Sequence, residues 1–130
     1  MVLDTNAYSG LVRGLKPIAD LVSNVSELKL PLPVIAELRY GFAKGSMPQK
    51  NEQKLQRFLA QPQVSVLMPT LKTTEYYAKI QLFCSHRGRV LSHNDIWIAA
   101  LTQENNEKLA TFDKDFEILA ETFGDDLIIL

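Results

Sequence analysis

The chain has 130 residues, of which 46% are hydrophobic, and a net charge of −1. That is the size of one ordinary domain (residues 1–130), with enough apolar content for a real core. No apolar run approaches the roughly 20 residues that span a bilayer. "MVLDTNAYSG" lacks the basic start and long apolar stretch of a signal peptide. The single cysteine, Cys84, excludes a disulfide framework and a zinc cluster, so a soluble cytoplasmic protein is the expectation.

In chain order, "MVLDTN" predicts a short strand ending at Asp4. "KPIADLVSNVS" has Pro17 at a tolerated first-turn position and apolar residues at helical spacing. "LKLPLP" reads as a strand. "VIAELRYGFAKG" reads as a helix with Ile35, Leu38 and Phe42 on one face and Gly45 as its stop. "NEQKLQRFLAQ" predicts an amphipathic helix and "VSVLMP" a strand. "TTEYYAKIQLFCSHRG" predicts a long helix with Tyr76, Ile80 and Phe83 on one face, closed by Gly88. "SHNDIWIAALTQEN" follows as a helix, "KLATFD" as a strand, "KDFEILAETFG" as a helix and "DLIIL" as a last strand. Strands and helices alternate, and the strands are short and apolar. This predicts an α/β fold with a mostly parallel sheet covered on both faces.

Charge is uneven along the chain. Residues 39–89 hold nine basic residues against Glu52 and Glu75, and residues 90–130 hold nine acidic residues against Lys108 and Lys114. Solvated helix faces explain this, and so does a basic flank that attracts a polyanion beside an acidic centre.

Four carboxylates fall where such a fold places its sites, at the carboxyl ends of the strands. Asp4 follows the first strand, and Asp113 follows "KLAT". Glu37 lies near the start of the helix after "LKLPL", and Asp95 lies in the first turn of its own. Each has a plain explanation alone. "SHND" resembles a capping box, Asp113 can start a helix, Glu37 can be a surface residue, and Asp4 can be a loop aspartate. Together, without a cation, they repel and some stay protonated. A hard divalent cation resolves that, and Mg²⁺ takes oxygen ligands, several waters and substrate phosphate. His86 and His93 read as a helix-end and a pre-helix residue rather than ligands. "GLVRGLK" lacks the spacing of a phosphate loop, and no GxSxG or Cys–His nucleophile is present.

"LDTN", "AELRYG", "NDIWIAA" and "TFDKDF", in this order, resemble the PIN domain, and more closely the VapC-type toxins of bacterial toxin–antitoxin pairs. The resemblance covers nearly the whole chain. It implies a three-layer α/β/α fold around a parallel sheet of about five strands. It implies an Mg²⁺- or Mn²⁺-dependent endoribonuclease, a homodimer, and silencing by a cognate antitoxin. Its acidic quartet falls on Asp4, Glu37, Asp95 and Asp113, as metal ligands and catalytic residues. Thr5, Asn6 and Thr111 match supporting positions. The chain departs from the family at "TFDKDF", where many relatives carry Arg between Thr and the acid, so Asp115 is a rival for the fourth role. Two alternatives come from other classes. One is a non-catalytic module on the same fold. The other is an aspartyl-phosphate phosphotransfer enzyme, for which "DTNAY" lacks the second Asp two residues on.

Overall fold

The computed structural model describes residues 1–130. Five strands, β1 (Val2–Leu3), β2 (Leu28–Pro31), β3 (Val64–Leu67), β4 (Leu109–Thr111) and β5 (Leu127–Ile129), form one sheet in the order β3-β2-β1-β4-β5. Every pairing is parallel. The central strands are apolar at consecutive positions because both faces are covered: Val2, Leu3, Leu30, Leu109 and Ala110 are fully buried. The edge strand β5 is only half-buried along its length.

The helices are α1 (Thr5–Val12), α2 (Lys16–Val22), α3 (Leu32–Lys44), α4 (Pro48–Leu59), α5 (Leu71–His86), α6 (His93–Glu104) and the short α7 (Ala120–Phe123). They cover the sheet in a three-layer α/β/α arrangement. No helix is long and apolar enough to cross a membrane.

The order of strands reverses at β1. From β1 the chain runs outward to β2 and β3, then returns to place β4 on the other side of β1. The crevice outside the carboxyl ends of β1 and β4 is therefore the topological switch point, where open parallel sheets bind ligands.

Two elements depart from the sequence reading. Residues 5–12 form α1, which no periodicity announced. Asp4 caps it, and its buried residues are Ala7, Tyr8 and Gly10, so packing overrides the weak helix propensity of a segment holding Asn6, Ser9 and Gly10. The expected helix "KDFEILAETFG" is instead a 3₁₀ segment, Lys114–Leu119, followed by the single turn α7. Phe116 and Leu119 are three residues apart and fully buried, and that spacing suits a 3₁₀ turn, whose side chains align at i and i+3.

Candidate acidic site

Asp4 leaves β1 directly and is 4% exposed. Its Oδ1 accepts from the Ala7 backbone N–H at 2.8 Å, as the N-cap of α1. Its Oδ2 accepts from the Thr111 hydroxyl. Thr111 ends β4 and is fully buried, and its oxygen also accepts from the Asp113 backbone N–H at 2.9 Å. One hydroxyl thus ties the carboxyl ends of the two central strands together. It is what sets Asp113 beside Asp4.

Glu37 lies in the second turn of α3, a little further along the helix than the sequence suggests, and is half-buried. Both of its oxygens are held. Oε2 accepts from the Thr5 hydroxyl at 2.7 Å, and Oε1 accepts from the Asn94 side-chain amide at 2.8 Å. Glu37 therefore joins α1 to α6 through its carboxylate. Asp95 is the third residue of α6. Its backbone N–H donates to the Ser92 hydroxyl at 3.1 Å, so Ser92 is the N-cap and the Asp95 carboxylate is free for another role.

The four acids influence one another. Burial, opposed by the Ser92 hydroxyl and joined by the charges of Asp113, Glu37 and Asp4, pushes the Asp95 carboxyl up to about 6. Burial also raises the Asp4 carboxyl. Its bonds from Thr111 and Ala7 lower it in part, and Asp113 and Glu37 raise it again. None of the ion pairs in the protein includes Asp4, Glu37, Asp95 or Asp113; Lys and Arg pair with Glu107, Asp20, Glu27, Glu52, Glu75 and Glu121 instead. Charge beside a core needs compensation; hydroxyl and amide side chains supply part of it here, and no basic side chain does.

The sequence-predicted residues divide as follows. Asp4, Glu37, Asp95 and Asp113 come together, with Thr5 on Glu37 and Thr111 on Asp4. Asn6 is exposed and bonds none of the acids. Asp115 is exposed and donates its backbone N–H to Asp113 Oδ1 at 2.9 Å; unlike Asp113, it is not among the charges that raise Asp4 or Asp95. Neither histidine bonds an acid. His93 is the first residue of α6 rather than a loop residue, and it meets Tyr77. Asn94 was not singled out in the sequence. It looks like an ordinary first-turn polar residue, and only the packing of α6 against α3 brings its amide to Glu37.

All the donors are carboxylate oxygens and no soft ligand joins them, a set that suits a hard cation such as Mg²⁺ or Mn²⁺. No three His, Cys, Asp or Glu side chains are drawn into a closed ligand set. An ion at this place would therefore be held partly through water, as Mg²⁺ commonly is.

Fold and site together define a parallel α/β/α protein with an unpaired acidic cluster at its switch point. The chain belongs to the PIN domain family, whose profile matches residues 1–122. It is 27% identical over 92 residues to Ribonuclease VapC2 of Rickettsia felis, which spans 71% of this chain and 67% of that protein. Among solved structures it is similar to VapBC2 from Rickettsia felis bound to a DNA fragment from their promoter. There the TM-score is 0.82 at 22% identity, over 99% of this chain and 96% of that one. It is also similar to VapBC-5 from Mycobacterium tuberculosis, a member of the VapBC family of toxin–antitoxin systems. There the TM-score is 0.73 at 21% identity, over 99% and 95% of the two chains.

Proposed function

We propose that this protein is an Mg²⁺-dependent endoribonuclease, with Mn²⁺ able to replace Mg²⁺, and the toxin of a toxin–antitoxin pair. The observation that carries the reading is the cluster of four carboxylates with no basic partner, two of them held toward their neutral forms by burial and mutual repulsion. The relative named a ribonuclease supports the substrate class.

Asp4, Glu37, Asp95 and Asp113 would hold the ion, directly or through water. A divalent cation there supplies a water of lowered pKa and charge neutralisation at the phosphate. The chain's own groups prepare the place. Thr111 fixes Asp4 and Asp113 relative to each other. Thr5 and Asn94 clamp the two oxygens of Glu37, so that its rotamer is set before any ligand arrives. Ser92 caps α6 and leaves the Asp95 carboxylate available. No protein nucleophile is needed, and the sequence offers none at this place. Lys50, Lys54 and Arg57 fall at i, i+4 and i+7 on α4 and make no ion pair; such a basic stripe suits a phosphate backbone.

A homodimer is part of the proposal. Met68, Leu71 and Leu82, on and just before α5, are 58%, 88% and 57% exposed, and a second copy would cover them. The antitoxin is proposed to silence the site by placing an Arg or Lys side chain against the acids, where it replaces the cation's charge. A cytoplasmic location follows from an RNA substrate.

The test is cleavage of single-stranded RNA by the purified chain with Mg²⁺, with Mn²⁺ and with EDTA, beside the Asp4→Asn variant. Cleavage that needs the metal and is lost in the variant is expected. Cleavage that survives both EDTA and Asp4→Asn would sink the assignment of the site.

A further inference from the structure

The first turn of α6 carries two kinds of chemistry on adjacent residues. Asn94 and Asp95 belong to the acidic site. His93, just before them, belongs to an aromatic group with Tyr77 of α5 and with Trp97, one turn further on.

The geometry of that group is specific. The Tyr77 hydroxyl meets His93 Nδ1 at 2.6 Å. The two ring centroids are 6.5 Å apart and their planes differ by only 14°. Rings joined rim to rim by a short hydrogen bond, at this separation and nearly parallel, lie end to end rather than face to face. They make one flat strip two rings long. Trp97 packs against Tyr77 with centroids 4.7 Å apart and a tilt of 42°, which backs the strip at the tyrosine. His93 is exposed, and Tyr77 and Trp97 are half-buried.

Core packing accounts for Tyr77, which lies partly buried against the core, but not for His93. The buried residues of the two helices are Thr73, Ile80 and Cys84 on α5, and Ile96 and Ile98 to Thr102 on α6. His93 adds nothing to that core. An open aromatic surface, flat along its length, is what an unpaired base stacks on, and single-stranded RNA is read by stacking splayed bases on aromatic side chains. Covalent neighbourhood fixes where the base would lie. His93 adjoins Asn94, whose amide bonds Glu37, and stands two residues from Asp95.

We propose that the Tyr77–His93 strip, backed by Trp97, is a stacking platform for one unpaired RNA base beside the phosphate at the acidic site. This rests on the ribonuclease reading and adds to it a place where a base is gripped. The platform holds the nucleotide by its face, so it tolerates any base and orients the backbone at the acids.

Trp97 is the only tryptophan of the chain, so its emission reports on the platform alone. Full-length Asp4→Asn protein, chosen to prevent cleavage, is titrated with short single-stranded RNAs of mixed sequence, and with the same RNAs carrying one abasic nucleotide at successive positions. Anisotropy of labelled RNA measures binding in parallel, in that background and with His93→Ala or His93→Phe added. Quenching of Trp97 by RNA is expected, with the quenching lost for one abasic position. His93→Ala should bind about tenfold more weakly. His93→Phe should bind like the parent, because it keeps the flat surface without the ring nitrogen.

The platform is overturned if RNA binds and Trp97 emission does not move, or if His93→Ala binds like the parent. It is also overturned if His93→Phe is as weak as His93→Ala, which would make the hydrogen bond to Tyr77 the working part. Light scattering that shows His93→Ala changing the oligomeric state would overturn it too, by assigning the strip to contact between copies. Wild-type protein that cuts RNA with Trp97 silent defeats the platform alone. Protein that neither binds nor cuts RNA defeats the ribonuclease reading and the platform together.

Discussion

Replacing Asp95 with Asn separates a charge role from a structural one. The backbone N–H that bonds Ser92 is kept, and Asn is close to Asp in shape, so a purely structural role predicts almost no change. The charge role predicts a large one, and its size can be worked out. The carboxyl sits at about 6 in the folded chain against an ordinary value of 3.8. The difference corresponds to about 3 kcal/mol, and solvent screening at a half-buried group trims this to about 1–3 kcal/mol. Folded Asp95 keeps its proton to higher pH than unfolded Asp95. Between pH 3.8 and about 6 the folded chain therefore binds more protons, and its stability falls as pH rises through that window. Asp95→Asn lacks this loss. In EDTA its melting temperature should match the wild type near pH 4 and exceed it by about 3 °C or more above pH 6. With Mg²⁺, the wild type should gain stability and cleave RNA, and the variant should do neither. A stability difference that stays flat from pH 4 to pH 7, with cleavage intact, would refute the reasoning.

The remaining variants test the other ties of the site. Asp4→Asn and Glu37→Gln should abolish Mg²⁺-dependent cleavage. Asp113→Asn should cut it strongly and Asp115→Asn weakly; if the order reversed, Asp115 would be the fourth acid. Thr111→Val removes a buried hydroxyl bonded to a carboxylate and should lower denaturant stability by about 1.5–3 kcal/mol. The loss should grow with pH, because that bond favours ionised Asp4. At Gly10 an added Cβ would lie 2.9 Å from the Phe112 ring. In Gly10→Ala the gain in helix propensity, about 1 kcal/mol, offsets part of the overpacking, about 1–3 kcal/mol. Stability should drop by only about 1 kcal/mol, while cleavage falls further because Phe112 joins Thr111 to Asp113. In a complex with the proposed antitoxin, a basic side chain of the partner should reach Asp4 or Asp95; a bound antitoxin that leaves cleavage unaffected would count against this.

Asp4, Asp95 and Asp113 were legible because each stands at a boundary between a strand or loop and a helix, where polar residues meet apolar runs. Glu37, in the second turn of α3, has no such marker and was singled out only by its place after the second strand and by the motif "AELRYG". The apolar run "IWIAA" signalled a buried α6, and the structure buries Ile96 and Ile98 to Thr102. Gly88 was legible as a stop because α5 ends there in a left-handed turn, with φ at 66°. Helix α1 was not legible: its stability comes from Asp4 and from packing, neither of which leaves a local period. Asn94 was hidden for a related reason. Its partner Glu37 is 57 residues away, and nothing near Asn94 in the chain records that distance.

The bond from Thr111 to Asp4 spans 107 residues, and β4 inserts beside β1 only after β2 and β3 have been made. The chain therefore emerges from the ribosome with Asp4 in place and its partner strand still missing. Until β4 arrives, Asp4 lacks the hydroxyl that orients it, and Asp113 has no position at all. A nascent or truncated chain that stops before β4 holds three of the four acids and no organised site. For the ribonuclease proposed above, this order of synthesis would be a safeguard: the ribosome making it would not be exposed to an assembled acidic site until β4 has been made.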